Sequence, residues 1–374
     1  MNPAVDITIV GAGIAGAALA QALAPQASVL LLEREAQPGF HSTGRSAAMF
    51  MESYGPPQAR ALTRASRAFY TAPPAGFCDT PLLLPRGALY VGWQGQEALL
   101  DRSEAGLRST GTAIERLDAA ATLRCVPVLR AEGLAGALWE PGAMDLDVQA
   151  LHQGFLRDAR QQGATLLCNA ELAGARREGG HWQLRLADGR LLQARHLVNA
   201  AGAWADGVAA RCGSAPVGLQ PCRRSAFTFD PPADTLFRDW PVTAGIDDRW
   251  YFKPDAGQLL GSPANADPVV AHDVQPEELD IATGIAELEE HTTLRIRRPR
   301  RTWAGLRSFV PDGELVIGFD NNGLFWLAAQ GGYGIQSAAG AALLAAALLR
   351  GQLLPEALRA HGVDPALMAP TRWH

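Results

Sequence analysis

Residues 6–33 limit what this chain can fold into more than any other stretch. Asp6-Ile7-Thr8-Ile9-Val10 reads as an apolar strand, Gly11-Ala12-Gly13-Ile14-Ala15-Gly16 as a glycine turn, and the alanine- and leucine-rich run to Leu23 as a helix. Ser28-Val29-Leu30-Leu31-Leu32 is a second apolar strand, ending at Glu33. The glycines have separate tasks. Gly11 permits the tight turn, Gly13 lets the backbone approach a pyrophosphate, and Gly16 allows the helix to pack close to the sheet. The first helical turn then offers unpaired N–H groups and partial positive charge to phosphate. Glu33 stands about 20 residues beyond the central glycine, where a carboxylate accepts hydrogen bonds from a ribose diol. The alternative, a glycine-rich surface turn, leaves the strands, the helix and the acid unexplained. The spacing predicts a dinucleotide site in an α/β fold.

At 374 residues the chain is long enough for two domains, and 48% hydrophobic with 19% charged residues is an ordinary globular composition. A net charge of -5 disfavours nucleic acid as the main partner. Arginines cluster at Arg223-Arg224 and from Arg295 to Arg301, the second cluster reading as a solvated surface. No apolar run reaches the roughly 18 residues of a membrane span. The chain is expected to be cytoplasmic, with peripheral contact at the inner face of the membrane left open. The five cysteines (Cys78, Cys125, Cys168, Cys212, Cys222) are scattered, as free thiols would be. No metal site is expected, because the histidines lack the close spacing of a zinc centre.

Local signals place the remaining elements. Helices are expected over 57–71, 95–109, 117–124, 148–162, 279–291 and 335–350, with Asp147 as a cap. A β-rich stretch runs from Thr165, and Asp188-Gly189 turns a hairpin. Val198-Asn199-Ala200-Ala201-Gly202-Ala203-Trp204 is a second strand–glycine–helix junction, and Gln330-Gly331-Gly332-Tyr333-Gly334 a third glycine loop. The nucleotide fold is therefore opened at the N-terminus, revisited in the middle and closed near the C-terminus. A strand-rich domain is inserted in two pieces.

Four segments together resemble the flavoprotein family of D-amino acid, glycine and sarcosine oxidases. They are the first glycine loop with Glu33, Ser42-Thr43-Gly44-Arg45-Ser46, Val198 to Trp204, and Gly331-Gly332-Tyr333-Gly334. The resemblance spans essentially the whole chain. It is nearest to the bacterial D-arginine dehydrogenases of that family, through His41 to Ala48, Arg223 to Phe227, Gly261 to Asp267 and Thr302 to Phe309. It implies a Rossmann-like FAD domain over 1–80, 143–215 and 305–374, and a substrate domain over 81–142 and 216–304. It implies FAD rather than NAD. No cysteine lies near the last glycine loop, so the FAD is expected to be non-covalent. The implied cofactor residues are Gly11, Gly13, Ile14, Ala15, Gly16, Glu33, Arg34, Ser42, Thr43, Arg45, Ser46, Ala47, Ala48, Ala201, Gly202, Trp204, Gly331, Gly332, Tyr333, Gly334, Ile335 and Gln336.

The resemblance also implies an amino acid substrate, hydride transfer from Cα to flavin N5, and a quinone or similar electron acceptor. The imino acid product would hydrolyse to a 2-oxo acid and ammonia. A substrate carboxylate is best held by guanidinium groups with a phenol added. The implied clamp is Arg223, Arg307 and Tyr251, with Tyr54 over the pocket and Gly332 beside it. Structural ion pairs remain the alternative for the two arginines, and core packing for Tyr251. The pocket is expected to include Met49, Met51, Ala88, Val242, Ala244 and Gln336. Here the chain departs from the arginine enzymes, which carry a glutamate where Ala88 stands. A methyl group cannot pair with a cation, so neutral, apolar D-amino acids are expected. Oxidation of a 2-hydroxy acid or of a secondary or cyclic amino acid, or an FAD-dependent monooxygenase, are the competing readings.

Overall fold

A computed structural model describes residues 5–233 and 235–373. Its architecture is mixed α/β, built on two large sheets. The first takes the strand Val5–Val10 as its centre. That strand pairs in parallel with Val29–Leu32 on one side and with Leu191–Asn199 on the other. All four residues of Val29–Leu32 are buried, as expected of a parallel strand covered on both faces. Thr165–Leu167 extends the sheet in parallel beyond Val29–Leu32, and Phe325–Ala328 pairs with the end of Leu191–Asn199. The Asp188-Gly189 hairpin joins His181–Leu186 to Leu191–Asn199, as the sequence indicates.

The helix Ile14–Leu23 lies on this sheet and packs against the helices Val148–Gln161 and Ala338–Leu349. Ala17, Ala18 and Ala20 have no exposed surface, and side chains this small let three helices approach closely. The Asp147 carboxylate accepts from Ala150 N at 2.8 Å and starts the second of these helices. The last long helix begins at Ala338, three residues later than expected. Residues 330–337 stay in turns, with Ser337 Oγ donating to Tyr333 O at 2.8 Å.

The other large sheet has nine strands and includes Ala88–Trp93, Leu134–Glu140, Gln220–Phe229, Val242–Gly245, Tyr251–Asp255 and Arg301–Phe309. Its outer face carries Leu89, Val91, Phe227, Trp250 and Phe252 in one apolar cluster. The chain thus passes repeatedly between two sheets, and the inner face of the nine-stranded sheet is turned toward the glycine loops. Arg301–Phe309 runs unbroken through position 305, where the sequence reading placed a domain boundary. Among the described residues no helix is long and apolar enough to cross a membrane.

Candidate active site

A long cleft separates the sheets. It has two lobes of about 780 and 1070 Å³, which share Gly13, Ser42, Thr43, Ala200, Gly202 and Ala203. Gly11 holds a φ of +102°, and a Cβ there would collide with the Ala200 carbonyl of the adjacent strand end. At Gly16 a Cβ would collide with the Gly11 carbonyl, so this glycine seats the helix directly on the turn. Glu33 Oε2 accepts from Ala12 N at 3.1 Å and Thr43 Oγ1 from Ile14 N at 3.0 Å. His152 Nε2 lies 2.9 Å from Ala12 O, and burial lowers its pKa, so the neutral ring braces the turn as a donor. Glu33, Arg34, Ala201 and Trp204 line the first lobe, where the Arg34 guanidinium lies 3.9 Å from the centre of the Trp204 ring.

The second lobe brings together Ile14, Ala15, Arg45, Ser46, Ala47, Ala48, Gly331, Gly332, Gly334, Ile335 and Gln336. Ser42 and Arg45 line the cleft but use their polar groups on protein. Ser42 Oγ donates to Leu306 O at 2.7 Å, and Arg45 reaches Val274 O at 2.8 Å and Asp273 at 2.5 Å. Tyr333 corrects the sequence reading. Its side chain is 4% exposed, packs against Phe309 and donates its hydroxyl to Gly313 O, so it supports the loop from behind.

The carboxylate clamp requires a second correction. Arg223 does not face the cleft. It is ion-paired with Asp267, Glu277 and Asp280, the last at 2.9 Å. Alternation along Gln220–Phe229 explains this. Arg223, Ser225 and Phe227 share the face covered by the helix Glu278–His291, where Ser225 Oγ also donates to Asp280 at 2.7 Å. Arg224 and Ala226 lie on the opposite face and line the cleft with Tyr251, Trp303, Gly305 and Arg307. Of the two adjacent arginines it is therefore Arg224, one position beyond the expected Arg223, that faces the cleft.

Arg224 donates Nε–H to Asn265 O, and burial followed by the Arg307 charge pulls its pKa below the usual guanidinium range. Among the described residues neither Arg224 nor Arg307 has an ion pair. Asp248, with a φ of 58°, feels the Arg224 charge without pairing with it. Tyr54 is 39% exposed at the cleft mouth, and its hydroxyl accepts from Arg307 Nη1 at 3.2 Å. A Cβ at Gly332 would sit 2.8 Å from that hydroxyl and 3.0 Å from Arg307 Nη1, so only glycine leaves Tyr54 and Arg307 their space.

Ala88, Ala143 and Val242 form a buried apolar cluster with Met49, Met51, Tyr90 and Tyr251, of which Met49 and Tyr251 line the second lobe. Ala244 pairs with Tyr90 and with Tyr251 in the same sheet. Gln336 is a bracket rather than a free pocket group. Its Oε1 accepts from Met51 N and its Nε2 donates to Tyr54 O, both at 3.2 Å. Glu52 is paired with Arg67 at 2.6 Å and does not supply the pocket with an acid. Two buried polar groups were not legible from sequence. Lys253 is ion-paired with Asp145 at 2.8 Å, and Glu140 lies directly across the strand pair from Ala88.

The described residues fit a flavin dinucleotide. The cleft is long, running from Glu33 and Trp204 past the Gly13 turn to Arg307 and Gln336. Both polar atoms of the Gln330 side chain are buried without a partner, and Gln330 lines the second lobe. The whole sequence from residue 6 to residue 348 matches the family model described as "DAO: FAD dependent oxidoreductase". The chain belongs to this family. As a DAO-family protein it is an FAD-dependent oxidoreductase.

Solved structures with the same fold include glycine oxidase from Geobacillus kaustophilus (23% identity, TM-score 0.85, 98% of each chain covered). Iminodiacetate oxidase from Chelativorans sp. BNC1 is 22% identical with a TM-score of 0.81, over 97% of this chain and 98% of that one. L-alpha-glycerophosphate oxidase from Mycoplasma pneumoniae, solved with FAD bound, is 15% identical with a TM-score of 0.83, over 93% and 95%. None of the five free cysteines lines either lobe.

Proposed function

We propose that this DAO-family protein oxidises D-amino acids with neutral, apolar side chains to imino acids. The observation that carries the reading is the convergence of Arg224 and Arg307, neither ion-paired, beside Tyr251 and Met49 in the second lobe, with the buried apolar cluster of Ala88, Val242 and Met51 packed behind them. The Arg307 charge disfavours the Arg224 cation, and an incoming carboxylate relieves that repulsion. Arg224 and Arg307 hold the substrate carboxylate, Tyr54 and Tyr251 add phenol contacts, and Gly332 leaves room for all of them. Each charge-assisted bond contributes about 1.5–3 kcal/mol. With the carboxylate fixed, the Ala88–Val242–Met49–Met51 surface receives the side chain and excludes water from Cα.

Gly11–Gly16, Thr43 and Gly331–Gln336 would hold FAD, which would supply the two-electron sink for the hydride leaving Cα. The amine loses its proton as the C=N bond forms, and water then releases a 2-oxo acid and ammonia. No side-chain base is required beyond solvent. Resemblance to the D-arginine dehydrogenases supports the D configuration and a quinone as electron acceptor, while Ala88 supports the apolar side chain.

The test is anaerobic mixing of the FAD-loaded protein with separate D-amino acids, L-amino acids and 2-hydroxy acids, followed at the flavin absorbance. Bleaching fastest with D-alanine, D-leucine or D-phenylalanine is expected. Fastest bleaching by D-arginine, an L-amino acid or a hydroxy acid would overturn the reading, and admitting air afterwards tests oxygen as acceptor. Pocket engineering gives a further prediction. Ala88→Glu alone places a carboxylate opposite Glu140, at a Cβ separation of about 5 Å in a buried pair. It should lower Tm without conferring D-arginine turnover, whereas Ala88→Glu with Glu140→Gln should confer it. Steady-state kinetics and a thermal melt check both variants.

A further inference from the structure

We propose that Glu140 is a positioning residue for the carboxylate clamp: through Ser53 it fixes the turn Met51–Gly55 and so seats the Tyr54 phenol on Arg307. This rests on the reading that Tyr54 and Arg307 receive a carboxylate. Glu140 ends the strand Leu134–Glu140 and is 1% exposed. Ser53 Oγ stands 2.8 Å from Oε2 and 3.0 Å from Oε1, and Tyr90 OH donates to Oε2 at 3.2 Å. Among the described residues no cation pairs with it. A carboxylate buried with only hydroxyl donors is costly, and burial pushes its pKa above the ordinary glutamate range.

What this group secures is the turn. Ser53 is 7% exposed and immediately precedes Tyr54, which is 39% exposed. The turn is closed by Tyr54 N donating to Met51 O at 3.2 Å, and Gln336 holds its two ends. Gly55 follows with a φ of +102°, and a Cβ there would press on the Tyr333 ring. Gln336 and Gly55 fix the backbone path on one side, and the Ser53 hydroxyl fixes the side facing the sheet. Because anchor and phenol are adjacent in sequence, a rotation of the turn at Ser53 moves the Tyr54 hydroxyl off Arg307.

The test uses the FAD-loaded protein and the variants Ser53→Ala, Ser53→Thr, Glu140→Gln, Tyr54→Phe and Ser53→Ala with Tyr54→Phe. Three readouts are needed: amide hydrogen exchange over 51–55, benzoate affinity from the visible flavin spectrum, and KM and kcat for the best amino acid. Ser53→Ala should speed exchange roughly tenfold and weaken benzoate about 5–10-fold. It should raise KM by the same factor with kcat changed less than about twofold. Glu140→Gln should fall between Ser53→Ala and wild type, and Ser53→Thr should restore wild-type values. In the double variant Ser53→Ala should add nothing to Tyr54→Phe, because both remove one contact. Additive losses in the double variant overturn the proposal, as does unchanged exchange over 51–55 in Ser53→Ala. If no amino acid bleaches the flavin and benzoate does not bind, the clamp reading falls, and hydrogen exchange alone still judges whether Glu140 holds the turn.

Discussion

Arg224→Met should raise KM for the preferred amino acid about 10²–10⁴-fold, while Arg223→Met should leave KM within about threefold and lower Tm by several degrees. The first figure follows from losing two charge-assisted bonds to a carboxylate at about 1.5–3 kcal/mol each. The second follows from the surroundings of Arg223. Its guanidinium is shared by Asp267, Glu277 and Asp280, and the Asp280 side chain is 12% exposed. Removing the cation leaves a nearly buried carboxylate unpaired, at a cost of about 3–5 kcal/mol. Steady-state kinetics and a thermal melt on the two variants decide the matter. If Arg223→Met gives the kinetic defect and Arg224→Met the stability defect, the assignment of the clamp to Arg224 is wrong.

The other large effect is on the cofactor. Gly13→Val should yield a folded protein that emerges colourless from gel filtration, with FAD affinity reduced at least about 10²-fold. At Gly13 the nearest atom to an added Cβ is Thr43 Oγ1 at 3.1 Å, so the apoprotein tolerates the first carbon with a small shift. The branched methyls then project into the region shared by both lobes, where the pyrophosphate would run. Gly16→Val is the contrasting case. Its Cβ collides with the Gly11 carbonyl, so this variant should lose the fold as well as the colour. The ratio of flavin to protein absorbance and the far-ultraviolet circular dichroism separate the two outcomes. A yellow Gly13→Val protein would remove the cofactor from this turn.

The features legible in sequence are those specified by neighbours along the chain. Asp147 caps its helix because its carboxylate bonds an amide three residues ahead. The Asp188-Gly189 hairpin and the Gly11–Gly16 turn are equally local. The arginine that faces the cleft was legible only to within one residue. Arg223 and Arg224 carry the same chemistry, and which of them meets the cleft depends on where the helix Glu278–His291 packs. Glu140 was not legible as part of the site, because its relation to Ala88 and Ser53 exists only after Ala88–Trp93 and Leu134–Glu140 pair. Tyr333 shows the same limit in another form. The glycine loop around it marked a cofactor edge, but the loop's direction of turn sends this side chain into the core.

The repeated passage of the chain between sheets has a consequence for synthesis. Val5–Val10 emerges from the ribosome early, yet one flanking strand is Leu191–Asn199 and that strand's own neighbour is Phe325–Ala328. The helix Ile14–Leu23 is sealed on one flank only when Ala338–Leu349 arrives. For most of translation this highly apolar segment therefore waits with an open strand edge and a bare helix flank, the form most prone to pair with a neighbouring nascent chain. Pulse-chase yield should accordingly depend on chaperone supply far more than the stability of the finished molecule would suggest.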